Sequence, residues 1–348
     1  MTDIGRPELA VDAARAFSAA RHPVVLFCNG LGDHLLTLPA LRALCSQTQG
    51  QFTLVCKKGM PAWFFSGLHI DRIIETRLTP HPSSGYTFDA RDVAAHVGHC
   101  DFLIDLNTWC SEATMQLVEE LGHPPVLGTS NRAYTWCLVE ALSCHFARVT
   151  FNIVRCLNPD LELENFSQPP IFDCGFARRA QRIRELCPGD RPFLAIHTET
   201  LPLKEWPIDY WRELLDAFLD RHPEWLVWVL DALPRGLRCG RHEQQIIPLA
   251  GYSVPTSCLV LAHARLFIGI DSVFLHAADS YGVPGIGLFG PTDPDVWGFL
   301  GGQALHHRVM PMSSLLPSVV LASAEALLEK TPEVTVLPRH SVRQLARS

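Results

Sequence analysis

The stretch Val24-Val25-Leu26-Phe27-Cys28-Asn29-Gly30-Leu31-Gly32-Asp33-His34 runs into Leu35-Leu36-Thr37-Leu38-Pro39-Ala40-Leu41-Arg42-Ala43-Leu44, and its reading decides the fold. The short apolar run reads as a buried strand, and the leucines that follow recur at helical spacing. Strand, glycine turn and helix form half of a nucleotide-binding βαβ unit. Two features disfavour a dinucleotide fingerprint. Leu35 stands where the third glycine would let helix and strand pack closely, and Asp33 puts a carboxylate where a pyrophosphate would meet the helix N-terminus. A carboxylate there suits another task, that of general base for a neutral hydroxyl. Taken alone, the turn is equally well explained by Asp33 capping the helix.

Outward from this turn, strand candidates recur at 24–28, 52–56, 72–75 and 102–106, with helical segments near 8–20, 35–46, 60–66 and 111–122. Such alternation predicts a parallel sheet covered by helices. The polar, proline-bearing run Asn165-Phe166-Ser167-Gln168-Pro169-Pro170 interrupts the pattern and reads as a linker. Beyond it the alternation resumes: strands at 193–197, 226–230, 266–270 and 285–289, helices at 210–221 and 273–281. A length of 348 residues fits two domains. We expect a first domain over 1–166, a second over 167–330 and a tail over 331–348. Two doubly wound halves predict a cleft between them, with ligands at strand carboxyl ends.

Composition narrows the function classes. Apolar residues make up 47% and charged residues 19%, as in a well-buried globular enzyme, and the net charge of −7 gives no bulk attraction to nucleic acid. The 12 cysteines are scattered without a Cys-x-x-Cys pair and sit mostly in apolar runs, the pattern of reduced thiols in a cytosolic protein. The 16 histidines form no His-x-x-x-His pattern, and His306-His307 adjoins no cysteine or carboxylate cluster, so no metal site is expected. With no basic-then-apolar leader and no apolar run of spanning length, the expected location is the cytoplasm.

Three polar clusters close strands of the second half. His197-Thr198-Glu199-Thr200 leads to Lys204-Glu205-Trp206-Pro207, where hydroxyls and a lysine suit phosphate oxygens. Asp271-Ser272 opens a helix, with Ser272 as N-cap and the next amides left for a phosphate, and His276 follows four residues on, on the same face. Gly290-Pro291-Thr292 is a turn that leaves its strand abruptly. Each alone is equally an ordinary loop, a capped helix with a core histidine, or a turn.

In this fixed order the clusters resemble glycosyltransferase family 9, the lipopolysaccharide heptosyltransferase-like enzymes. Gly32-Asp33 with Leu38-Pro39-Ala40-Leu41-Arg42-Ala43-Leu44, Lys204-Glu205-Trp206-Pro207, Ala264 through Ser272, Tyr281-Gly282-Val283-Pro284 and Leu288 through Pro294 carry the resemblance, which spans about residues 23–300. It implies the GT-B architecture, two Rossmann-like doubly wound α/β domains facing a central cleft. It also implies an inverting, metal-independent transfer of a sugar, heptose from ADP-heptose, onto an acceptor hydroxyl, with no other cofactor. Asp33 then falls on the base, in an acceptor-side turn with Gly30, Gly32 and His34. Thr198, Thr200, Lys204, Asp271, Ser272, His276 and Thr292 fall on the donor side.

The implied partners are a nucleotide-sugar donor and a glycan or lipid-linked acceptor. Arg339, Arg343 and Arg347, four apart, form one basic stripe if helical, suited to peripheral contact with the inner membrane surface, while the tail reads more simply as a solvated or frayed end. Two positions depart from the family. Val273 replaces the usual glycine after Asp271-Ser272 and narrows the space for a phosphate, and Glu199 stands where a small or hydroxyl residue is usual. A carboxylate facing a diphosphate repels it unless turned away or paired. These departures leave open a catalytically silent sugar-nucleotide-binding or scaffold protein of the same fold. Asp231 and Glu243 are candidate ribose contacts.

Overall fold

A computed structural model describes residues 7–81, 85–138, 144–185, 191–233, 236–237 and 241–331. The arginine stripe at Arg339, Arg343 and Arg347 lies outside them. The chain divides into two compact units, Met1–Gln168 and Pro169–Ser348.

Unit 1 runs α1 (Pro7–Ala19), β1 (Pro23–Phe27), α2 (Leu31–Thr48), β2 (Thr53–Lys57), β3 (Arg72–Thr76), a hairpin of β4 (Thr79–His81) and β5 (Gly85–Thr87), α3 (Ala90–Val97), β6 (Phe102–Asp105), α4 (Glu112–Glu120), β7 (Val126–Gly128), β8 (Trp136–Cys137) and α5 (Phe146–Arg155). Unit 2 runs α6 (Cys174–Glu185), β9 (Phe193–His197), α7 (Ile208–Arg221), β10 (Leu226–Val229), β11 (Ile246–Pro248), α8 (Val254–Leu261), β12 (Leu266–Ile270), α9 (Val273–Ser280), β13 (Gly285–Phe289), α10 (Pro294–Trp297), β14 (Ala304–Arg308) and α11 (Pro317–Lys330).

Each unit holds a six-stranded parallel sheet, ordered β3-β2-β1-β6-β7-β8 in the first and β11-β10-β9-β12-β13-β14 in the second. Numbered within its own sheet, each order is 3-2-1-4-5-6, the doubly wound Rossmann arrangement. The order reverses between β1 and β6 in unit 1 and between β9 and β12 in unit 2. Loops leaving the carboxyl ends of those strand pairs therefore diverge to opposite faces and leave a crevice for a ligand.

The buried strands explain why apolar runs were legible. All five residues of β1, β9, β12 and β13 are buried, as expected for parallel strands covered on both faces. Helix α2 is unusual. Ten of the eleven residues from His34 to Leu44, all but Arg42, are buried, so it lies inside unit 1 rather than across its surface, and it packs against α5. That setting explains Pro39 within the helix, whose missing N–H costs one backbone bond, about 3 kcal/mol, while the surrounding leucines bury apolar surface.

Helices α3, α5, α6, α8 and α11 had no counterpart in the expected elements. In α8 and α11 serine and alanine run among the apolar residues with little periodicity, so only packing reveals the inward face. Helices α3, α5 and α6 do carry an apolar stripe at helical spacing that the expected elements left out. Helix α6 buries only Ala180 and Ile183, through which it packs on α8.

Candidate functional site

The turn after β1 differs from its expected shape in one respect. Helix α2 begins at Leu31 rather than near 35, so Gly32, Asp33 and His34 are in its first turn and Gly30 is the N-cap. Asp33 is thus not the cap residue. Its carboxylate reaches back and accepts from the Gly30 N–H at 3.0 Å, satisfying one of the donors a helix start leaves open. Gly30 has ordinary extended backbone (φ −73°, ψ 173°), so its use here is not a matter of a forbidden φ.

His34 is fully buried, edge-on to Phe27 and Phe64, and its Nδ1 lies 2.8 Å from the Gly30 carbonyl. Burial lowers its pKa to about 4, against the pull of the Gly30 carbonyl, so the ring is neutral and Nδ1–H donates. In the unfolded chain the ring titrates near 6.5, so the folded state loses stability as pH falls from 6.5 toward 4. We expect His34→Asn, which keeps a donor for Gly30, to gain in melting temperature relative to the parent between pH 7 and pH 4.5. A gap that moves the other way contradicts the buried neutral ring.

Beside this turn lies a cluster the sequence did not announce. Asp105, the last residue of β6, is fully buried. Its Oδ1 accepts from Asn107 N (3.0 Å) and Nδ2 (2.9 Å), and its Oδ2 from Tyr134 Oη (2.6 Å) and Ser130 Oγ (2.9 Å). Burial pushes its carboxyl up to about 6, with the hydroxyls and Asn107 limiting the rise. The folded state binds this proton more tightly than the unfolded one, so its contribution to stability is largest at low pH and is lost as pH rises through 6. Over pH 4–6 it opposes His34.

In unit 2 the lysine loop is anchored by its own motif. Trp206 is buried, donates from Nε1 to the Leu315 carbonyl at 2.9 Å and meets Trp211 edge-to-face, while Pro207 caps α7. Lys204 is held two residues before this anchor. Its Nζ lies 2.6 Å from Asp271 Oδ2 at the end of β12, and His276 Nε2 lies 3.9 Å from Asp271 Oδ1. Lysine loop, Asp271 and His276 are thus brought together, although they are 67 and 5 residues from Asp271 in the chain.

Ser272 is the N-cap of α9 by position, yet its hydroxyl makes no capping bond. Both Ser272 Oγ and Thr292 Oγ1 are buried atoms without a hydrogen-bond partner among the described residues. They close neighbouring strands, β12 and β13. Buried hydroxyls left unsatisfied cost about 1–3 kcal/mol each, which a bound ligand's oxygens would relieve.

The other sequence candidates have internal duties. Thr198 is buried, and its hydroxyl and amide donate to Asp231 at 2.6 and 2.7 Å, so the hydroxyl points inward. Asp231, a candidate ribose contact from sequence, is 1% exposed and also accepts from Glu199 N, with His197 Nδ1 3.0 Å away. Burial raises its pKa, but His197 and Thr198 outweigh this and hold it below the ordinary carboxylate value. Its stabilising contacts are therefore lost only as pH falls through that lowered range. Asp231 pins the loop after β9 rather than facing outward. Glu243 is exposed on a short turn before β11. Glu199 is paired, since its Oε2 accepts from the Ala232 N–H at 2.8 Å, which answers the repulsion that its position suggests.

Replacing Asp231 with alanine strands two amides and a hydroxyl. We expect a loss of about 3–5 kcal/mol, read as a melting temperature lower by on the order of 10 °C. A change within 2 °C would show that the loop is held elsewhere.

Among the described residues no group of three or more histidine, cysteine, aspartate or glutamate side chains is arranged to hold a metal ion, and no helix is long and apolar enough to cross a membrane.

Residues 101–325, more than half of the chain, match the model of glycosyltransferase family 9 (heptosyltransferase). The chain is 25% identical over 304 residues to lipopolysaccharide heptosyltransferase 1 of Pseudomonas aeruginosa, covering 80% of this chain and 81% of that protein. Its fold is similar to a glycosyl transferase family 9 structure from Veillonella parvula (TM-score 0.69, 20% identity, 89% of this chain and 98% of that one). It is also similar to an E. coli heptosyltransferase solved with ADP (TM-score 0.62, 20% identity, 88% and 99%). The two 3-2-1-4-5-6 sheets are those of the GT-B fold, and the chain belongs to glycosyltransferase family 9, the heptosyltransferase family, as a glycosyltransferase.

Proposed function

We propose that this protein transfers heptose from ADP-heptose to a hydroxyl of a lipopolysaccharide-type acceptor, with inversion at the anomeric carbon and without a metal ion. The observation that carries the proposal is the cluster at the carboxyl ends of β9, β12 and β13. There Lys204 is held on Asp271 beside the unsatisfied hydroxyls of Ser272 and Thr292 and the N-terminus of α9. A cation, two hydroxyls and a helix start suit the oxygens of a diphosphate. The relatives' names supply the sugar and nucleotide: lipopolysaccharide heptosyltransferase 1, and a heptosyltransferase solved with ADP.

In the reaction the acceptor oxygen attacks the anomeric carbon as its bond to the diphosphate breaks. Asp33 takes the acceptor's proton, and negative charge accumulates on the departing ADP. Lys204 and the first amides of α9 stabilise that charge, the part a divalent cation plays in other transferases. His276 and Asp271 keep Lys204 and the sugar oriented, and Thr200 offers a further hydroxyl. Thr198 serves indirectly, through Asp231, by shaping the loop. Gly30, Gly32 and His34 form the turn that presents Asp33 to the acceptor. The enzyme works in the cytoplasm, at the inner membrane surface where a lipid-linked acceptor resides. Unit 1 supplies the acceptor side and unit 2 the nucleotide-sugar side.

The test incubates the protein with ADP-heptose and lipopolysaccharide lacking heptose, and measures ADP release with and without EDTA. The expected result is acceptor-dependent release, unchanged by EDTA, with an anomeric configuration in the product opposite to the donor's. Donor binding without turnover would favour the catalytically silent reading, and loss of release with EDTA would remove the metal-independent one.

A further inference from the structure

We infer that Asn107 and Trp109, on the loop after β6, are positioning residues that hold the turn carrying Asp33. The inference rests on the reading of Asp33 as the base.

Strands β1 and β6 are neighbours, with Leu26 opposite Asp105, so the loops that leave them run side by side at the crossover point of the unit 1 sheet. Asn107 is fully buried, and its Oδ1 accepts from the backbone N–H of Cys28 at 2.9 Å. One residue on, Asn29 Oδ1 accepts from Trp109 Nε1 at 2.6 Å. Gly30 N–H is then taken by Asp33 itself. Three successive residues ahead of the helix are each tied, two of them by the β6 loop.

The amide of Asn107 points one way only. Its Nδ2 donates to Asp105 Oδ1, an acceptor, so Oδ1 is left to face Cys28. Tyr134 and Ser130 hold the other Asp105 oxygen, so that carboxylate has no freedom to turn. The β7 side is closed too, because a Cβ on Gly128 would stand 2.9 Å from the Asp105 carbonyl oxygen and 3.0 Å from the Tyr134 ring. A fully buried carboxylate is a costly way to stabilise a sheet, where an apolar residue of similar volume serves as well or better. It is an effective way to fix the orientation of one amide, and through it the turn that follows β1. Displacing a reacting group by about 1 Å costs on the order of 100-fold in rate, which is the scale at which such a clamp matters.

The test is a cycle between Asn107→Leu and Asp33→Asn, with ADP release to heptose-free lipopolysaccharide as the rate and ADP-heptose titration as the binding measure. Asn107→Leu is expected to lower kcat about 10- to 100-fold while the Kd for ADP-heptose stays within twofold. In the Asp33→Asn background the same substitution should change the residual rate by less than twofold, since there is no base left to misplace. An equal fold-loss in both backgrounds, or a kcat within twofold of the parent, overturns the positioning role while leaving Asp33 as base. Full activity of Asp33→Asn alone removes the base reading, and this inference with it. Trp109→Phe keeps an aromatic ring at this position and removes the Nε1 donor together with the five-membered ring that carries it; it carries the same cycle if Asn107→Leu does not fold.

Discussion

Replacing Asp33 with asparagine is expected to lower kcat for heptosyl transfer by about 10²- to 10⁴-fold, the range by which a general base accelerates proton transfer. The side chain keeps its shape and an oxygen for the Gly30 N–H, so the start of α2 should survive and melting should change little. Binding of ADP-heptose should also persist, because the donor contacts proposed here are all in unit 2. Asp33→Ala is the informative companion. It removes base and reach-back bond together, so it should match asparagine in rate and add a stability loss of about 0.5–2 kcal/mol. Equal melting but retained activity in Asp33→Asn would mean that the carboxylate serves the helix alone, the reading that the turn sequence by itself permits. Steady-state kinetics with saturating donor, alongside thermal melts, separates the two.

Lys204→Ala should act on the other half of the reaction. With the diphosphate bound at Lys204 as proposed, losing charge-assisted bonds of about 1.5–3 kcal/mol should raise the Kd for ADP-heptose roughly 10- to 100-fold. Its loss should also lower kcat, since the leaving diphosphate carries more negative charge in the transition state than in the bound donor. The variant has a second consequence, because Asp271 is buried and would keep its carboxylate without the 2.6 Å partner. Lys204→Ala/Asp271→Asn should therefore recover melting temperature relative to Lys204→Ala, without recovering donor affinity. Titration with ADP-heptose and with ADP alone reads the affinity. Unchanged affinity for both would place the diphosphate away from Lys204.

The strands of unit 2 show how much was legible. Phe193–His197 and Gly285–Phe289 coincide with the expected strands residue for residue, because a short apolar run bounded by turn residues has few other uses. Strand β14 was not expected. Its Ala304-Leu305-His306-His307-Arg308 is an edge strand whose histidines bond outward, His306 Nε2 accepting from Phe299 N and His307 meeting Ser323. Edge strands need less apolar character, so hydropathy alone passes over them. The Lys204 loop and the Asp271-Ser272 helix start were likewise recognisable as motifs, since each is local and begins at a strand end.

What could not be read is the pairing between motifs. Asp105 looks in the sequence like the polar end of a strand, and nothing nearby marks it as the acceptor for Ser130 and Tyr134, 25 and 29 residues on. Asp231 is a candidate for the ribose because the resemblance points to the loop after Leu230, and only the register of β9 with β10 brings it under Thr198. Glu199 looked hostile to a diphosphate until the structure gave it the Ala232 amide.

Sequence by itself determined the two-fold alternation, the glycine turn with its acid, and the order of motifs that marks the family, since periodicity and turn chemistry act over a few residues. Tertiary structure alone decided which carboxylates are spent inside and which groups are left with unmet bonds. Asp105 and Asp231 are saturated by partners from other strand ends, while Ser272 and Thr292 carry buried hydroxyls without partners among the described residues. That division depends on which strand ends become neighbours in a parallel sheet, and such neighbours are separated in the chain by a whole helix.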